Sequence, residues 1–336
     1  MVMLPTRTNT QALPPPPGII GSLRAGFDAI AAHIGLILLP LGLDLLLWLG
    51  PRVSISKLMQ PVLDEMARLA PTAGLPQADI DNMLAMYREL LGRLNLLSAL
   101  RTFPVGLFSL MSGRMPGGVP FGAPTILQVD TAAQLLGLFL IVTLLGWTLG
   151  GLYFYRVAGL VASKPLVEAP PTAARAVTQT ILYSLIWAIL LWSVGLPGVL
   201  FLYLAFAINT LLGQILVLFL GFVSLWLLVP LFFSPHGIYI KKQNAFASFL
   251  SGFQLTRLTL PSSSLFVLAV FLLGMGLNLL WAVPAEDSWL ALVGILGHAF
   301  VTTALLASSF VYYQDMSTWV QTVLARLRAS MPTQQA

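Results

Sequence analysis

Long apolar runs alternate with short polar breaks along most of the chain, and the runs set the fold. The first is residues 30–50, IAAHIGLILLPLGLDLLLWLG, about the 20 residues that a hydrocarbon core of roughly 30 Å requires. Pro40 inside it is a candidate kink. No small-x-small cleavage signal follows Asp44, so the run predicts an uncleaved signal anchor. Before it, Ile19, Ile20, Leu23, Phe27 and Ile30 recur at helical spacing, which predicts a short interfacial helix. Further spans are predicted at 131–155, 175–195, 200–233, 261–283 and 289–313. The 200–233 run is long for one straight crossing. Pro197-Gly198 is the expected turn before it, and Asn209 with Gly213 the expected break within it.

The breaks have their own patterns. Pro5 and the Pro14–Pro17 run predict a disordered tail over 1–18. Residues 51–130 form the longest polar stretch. Leu58, Val62, Met66 and Leu69 make one helical stripe, and Ile80, Leu84, Tyr87, Leu91 and Leu94 lie in another. A helical cap of two or three helices follows from this, with 102–112 apolar but too short to span. Phe246, Phe249, Leu250 and Phe253 predict a surface amphipathic helix over 243–258. Val320, Val323, Leu324 and Leu327 predict another after the last span, in 314–336.

Composition agrees with the pattern. Hydrophobic residues make up 57% and charged residues 9% of the 336, against about 25% charged in soluble domains. The expected class is therefore an all-α integral membrane protein with six transmembrane helices. The net charge of +5 does not point to nucleic acid, because the bases lie between apolar runs rather than in one patch. They read as topology signals. With the N-terminus inside, Arg7, Arg24, Arg156, Lys164, Arg175, Lys241, Lys242, Arg257, Arg326 and Arg328 all fall inside, and the 284–288 loop holds only Glu286 and Asp287. The expected topology is N-in, C-in in the cell membrane, with the 51–130 cap outside.

Candidate chemistry is sparse. Cysteine is absent, which removes thiol chemistry and disulfides. There is no HExxH, GxSxG, Walker or GxGxxG pattern, and no cofactor or metal is expected. Asp79 and Asp81 read as helix N-terminal acids. Ser234-Pro235-His236 reads as a turn where a span leaves the membrane. Asp44, His298, Asn278, Asn209 and Gln214 fall at similar depth in the outer half on this threading, and form one candidate intramembrane polar cluster. A proton relay or outward pocket is one reading of it. Interhelical hydrogen bonds that lock the bundle, or an Asp44 reaching the outer surface, are the others. Lys241, Lys242, Arg257, Arg326 and Arg328 are candidates for contact with anionic lipid headgroups.

From Gln179 to Tyr313 the layout resembles a class of uncharacterised bacterial six-span proteins grouped with the membrane domain of glycerophosphodiester phosphodiesterases. The element that carries it is a long apolar span, then FFSPHGIYIKKQNAFASFLSGFQLTR with Ala245, Ala247 and Ser248, then another span. The class often has an acid where Lys241 or Lys242 stands here. No phosphodiesterase catalytic domain accompanies it, so the resemblance implies a membrane module rather than a reaction. The expected function is a non-enzymatic scaffold or accessory subunit, with membrane lipids and subunits of a membrane complex as partners. A small permease or lipid-handling transporter using the Asp44–His298 cluster is the alternative, and a membrane-embedded enzyme with His298 as base comes third.

Overall fold

A computed structural model describes residues 15–74, 76–162 and 171–330. The expectations for most of the N-terminal tail, for Lys164, and for the chain after 330 lie outside the described residues. The described chain is overwhelmingly helical. Five helices are long and apolar enough to cross a membrane, or six if one bent pair counts as a single span.

The bent pair is the first surprise. Helix α1 (Ile19–Ala32) and the stretch Ile34–Leu49, which ends in α2 (Leu38–Leu49), meet at 93°. The break falls at His33, not at Pro40. Pro40 sits in the first turn of α2, where its missing N–H is not needed. One face of α1 packs on the bundle. Ser22, Gly26 and Ile30 form a small-residue face buried in the bundle. A Cβ on Gly26 would lie 2.6 Å from Ser308 Cα, so glycine is what lets these two backbones touch.

The helix opposite is α12 (Ala291–Ser330), the centre of the bundle. Of its most apolar stretch, 67% is buried, far more than in any other span. Around it lie α1, α2, α6 (Ala132–Val161) and α11 (Ala245–Trp281). The α6 helix begins with a capping box. Thr131 Oγ1 accepts from Gln134 N at 3.2 Å while the Gln134 side chain accepts from Thr131 N. In α11, Thr259 breaks the helical backbone just ahead of Pro261. The segment 245–258 is thus a separate rod, close to the expected 243–258. Its two faces divide between the bundle and the outside. Ser248, Ser251, Gly252, Leu255 and Thr256 face the bundle, and Phe246 is left exposed.

The expected boundary between the third and fourth spans is wrong. Helix α7 (Ala173–Leu190) passes through a π turn at Leu191–Gly195 into α8 (Leu196–Ile208) without a reversal. The chain turns at Asn209, whose side chain accepts from Leu211 N and Leu212 N to start α9 (Thr210–Phe233). Pro197-Gly198 does not turn the chain. The π turn just before them relaxes the hydrogen-bond register, so proline enters at the start of α8 where no donor is required. In lipid an open turn would strand backbone polar groups, whereas a continued helix keeps them paired.

The 50–131 region lies at one end of the bundle. Strand β1 (Arg52–Ser54) pairs in parallel with β2 (Ile126–Gln128), tying its entry to its exit. Between them, α3 (Ser56–Leu69) and α4 (Gln77–Arg93) form a hairpin around Leu63, Ile80 and Leu84. The stretch predicted as too short to span is inserted into the bundle. Val105, Leu107, Leu110 and Met111 belong to the same buried core as the long helices. Gly150 of α6 receives it closely, since a Cβ there would lie 2.6 Å from Gly106 Cα. The 282–290 loop fastens the same end. Trp48 Nε1 donates to Glu286 O at 2.7 Å, Arg114 Nη2 to Pro284 O at 2.8 Å, and Gly117 N to Glu286 Oε2 at 2.7 Å.

Candidate functional site

Asp44 is completely buried on α2, and its carboxylate is fully occupied by the inserted segment. Ser109 Oγ donates to it at 2.5 Å, Met111 N at 2.9 Å and Leu110 N at 3.1 Å. Ser109 Oγ in turn accepts from Ser112 N at 2.9 Å. The reason is local. Residues 109–112 open a single helical turn, α5 (Met111–Arg114), whose first N–H groups have no internal acceptor. In an apolar surrounding a carboxylate is the strongest acceptor available to them.

The other members of the expected cluster are not gathered around Asp44. Asn209 caps α9 at the far tip of the α8–α9 hairpin. Gln214 and Asn278 are exposed on the flanks of α9 and α11. His298 is buried to 8% exposure on α12, and its Nε2 has no hydrogen-bond partner. It contributes nothing to the three bonds that hold the Asp44 carboxylate. What the two share is Arg101, whose charge acts on both. Both are buried, but no hydrogen bond joins the two side chains.

Further bases stand at this end. Arg52 is buried and donates to Gly92 O at 3.0 Å and to Pro116 O. Burial pushes its guanidinium below its ordinary value, and the Glu286 carboxylate opposes that. These bonds staple the cap hairpin to the loop above the inserted segment.

A second polar network fills the opposite end, and the sequence reading missed it. The Ser234 hydroxyl pairs with Tyr183 and donates to Leu231 O at 2.7 Å. Ser248 Oγ donates to Ser234 O at 2.6 Å. His236 turns away from Ser234: its Nε2 meets Ser309 Oγ at 2.8 Å, and its ring lies 4.6 Å from that of Phe310. Ser234 and His236 therefore do not form a nucleophile–base pair. Thr180 and Tyr239 hydroxyls meet at 2.6 Å. Nearer the inserted segment Tyr153, whose ring lies 6.3 Å from that of Phe108, donates to Thr303 at 2.8 Å. The signal was present as a stripe at Ser248, Ser251-Gly252, Leu255-Thr256 and Thr259, small or polar at helical spacing, hidden behind a more conspicuous phenylalanine face.

The five basic candidates also separate. Lys241 lies half-buried with Nζ 4.9 Å from the Tyr313 ring centroid, and burial pushes its ammonium below its ordinary value. Lys242, Arg257, Arg326 and Arg328 are exposed. Among the described residues no group of three or more His, Asp or Glu is arranged to hold a metal ion. Comparison with known proteins finds no matching family model, no matching curated protein and no matching solved structure.

Proposed function

We propose that this chain is a non-enzymatic membrane module that scaffolds a larger membrane assembly. Its six crossings run N-in and C-in, the first being the bent α1–α2 pair, with the 51–130 cap outside. The observation that carries the scaffold reading is the α8–α9 hairpin. The continuous α7–α8 helix has 36 residues, about 54 Å at 1.5 Å per residue. A hydrocarbon core is about 30 Å thick. The chain carries no Asp, Glu, Lys or Arg from Ala176 to Ile240, so the hairpin gains nothing by entering water and leans within the bilayer instead.

Its packing supports an outward role. Only Ala205 is buried along α8, which packs on α9 and on the preceding π turn. Phe206 seats on Gly213 to close the hairpin on itself. Gly195, Gly198 and Gly221 face open space, notches that suit close approach of a partner helix. Elsewhere in the bundle Gly26, Gly150 and Gly252 lie against neighbouring backbone, while Gly21, Gly137 and Gly276 are open like those of the hairpin. The permease alternative rests on the buried, unpartnered His298 Nε2.

Photo-crosslinking from the arm tests the scaffold. A crosslinking residue at Phe201 or Leu218, both exposed on the hairpin, is expected to give discrete protein adducts in intact membranes. The same residue at Leu140, exposed on α6, is expected to give lipid adducts. Lipid adducts alone at all three positions would remove the scaffold reading.

A further inference from the structure

A groove of about 450 Å³ runs between α7 and the start of α11, walled by Leu182, Leu185, Ile186, Ile189 and Phe246. Its mouth is polar, with Gln179 and Asn244 in the lining and Arg175 and Lys242 beside them. We propose that this groove is a binding site for an anionic phospholipid, one acyl chain lying between α7 and α11 and the phosphate at Arg175 and Lys242.

Three observations carry it. The first is shape and chemistry: from Gln179 to Ile189 the apolar wall is about 15 Å long at 1.5 Å per residue, and polar atoms are confined to one end. The second is charge. Between Glu168 and Glu286 the chain contains no Asp or Glu, so α7, α9 and α11 offer the mouth no carboxylate. Arg175 spends one nitrogen, Nη2, on Lys242 O at 3.1 Å; a guanidinium has five donors. The third is the backbone of Lys242, which has φ +55. A lysine there occupies a conformation that glycine or asparagine adopts more readily. The strain is explained if the ammonium is what the position needs. The arrangement is braced from below, because Gln179 Oε1 accepts from Ala245 N at 2.8 Å and holds α11 against α7.

Lys241 takes no part. Its Nζ lies over the Tyr313 ring on α12, and it does not line the groove. The site rests on the membrane reading but not on the scaffold. Its failure would leave crosslinks from Phe201 untouched, and failure of the arm would leave the lipid preference untouched.

The test is a thermal-shift titration of the full chain, delipidated in detergent, with phosphatidylglycerol, phosphatidylcholine or inorganic phosphate. Phosphatidylglycerol is expected to raise the unfolding temperature at the lowest concentration, phosphatidylcholine at a higher one, and phosphate not at all. Lys242→Asn removes the charge and suits the backbone, and is expected to raise the half-saturating phosphatidylglycerol concentration about fivefold, the effect of roughly one basic residue at an anionic surface. Ile189→Trp projects into a groove position that is 65% exposed, and is expected to weaken both lipids alike. Equal responses to the two lipids in the unsubstituted protein would overturn the proposal. So would a phosphatidylglycerol preference that survives Lys242→Asn, or a response to phosphate that matches the lipid's.

Discussion

Replacing Asp44 with asparagine is expected to destabilise the detergent-solubilised protein by about 2–4 kcal/mol, read as a fall in its thermal unfolding temperature. The carboxylate accepts from Ser109 Oγ, Leu110 N and Met111 N. An amide keeps one acceptor oxygen and turns an NH₂ toward donors that are already buried. Leaving a buried donor without a partner costs about 1–3 kcal/mol, more where the lost partner was charged. The inserted segment should loosen with it, since the bonds from Ser109, Leu110 and Met111 tie it to α2. Faster proteolysis around Arg101 and Arg114 would report that loosening. A variant with unchanged stability and lost transport would instead favour the permease.

Gly26→Leu is expected to separate α1 from α12 and to cost about 1–3 kcal/mol, whereas Gly21→Leu on the same helix should be nearly neutral. A Cβ at Gly26 would overlap the backbone of Ser308, and a Cβ at Gly21 meets nothing within 4 Å. Ser308 Oγ also donates to Leu23 O at 3.2 Å, and Phe27 packs edge-on to Phe300 at 6.0 Å. Unfolding temperatures of the two variants check this. Equal effects would mean that α1 lies on the bundle surface and does not pack into it.

Much of the architecture was legible in the residues. The apolar runs located α6, the second rod of α11 and α12 to within a few residues at most ends, because a lipid-facing helix must be apolar along its whole length. The expected division between 243–258 and 261–283 matches the break at Thr259. Rotation about each helix was not. Counting residues along each run assigns Asp44, His298, Asn209, Gln214 and Asn278 one expected depth, but counting does not say which way a side chain faces; packing does. Asn209 serves a helix start, Asn278 faces outward, and only Asp44 and His298 are buried. Pro197-Gly198 misled for a related reason. It is a strong turn signal in water, where the freed backbone groups find solvent; in an apolar helix the preceding π turn absorbs it. The bend at His33 carries no proline or paired glycine and becomes visible only once α1 is seen packed on α12.

Single-cysteine labelling in intact cells tests the six-crossing membrane module most directly, because the chain has no cysteine of its own. A cysteine at Asp287, in the loop that fastens the cap, is expected to react with a membrane-impermeant maleimide added outside. One at Lys242, at the other end of the bundle, is expected to react only after the membrane is opened. Labelling at both positions from outside, or at Lys242 alone, would contradict the threading and with it the placement of the cap.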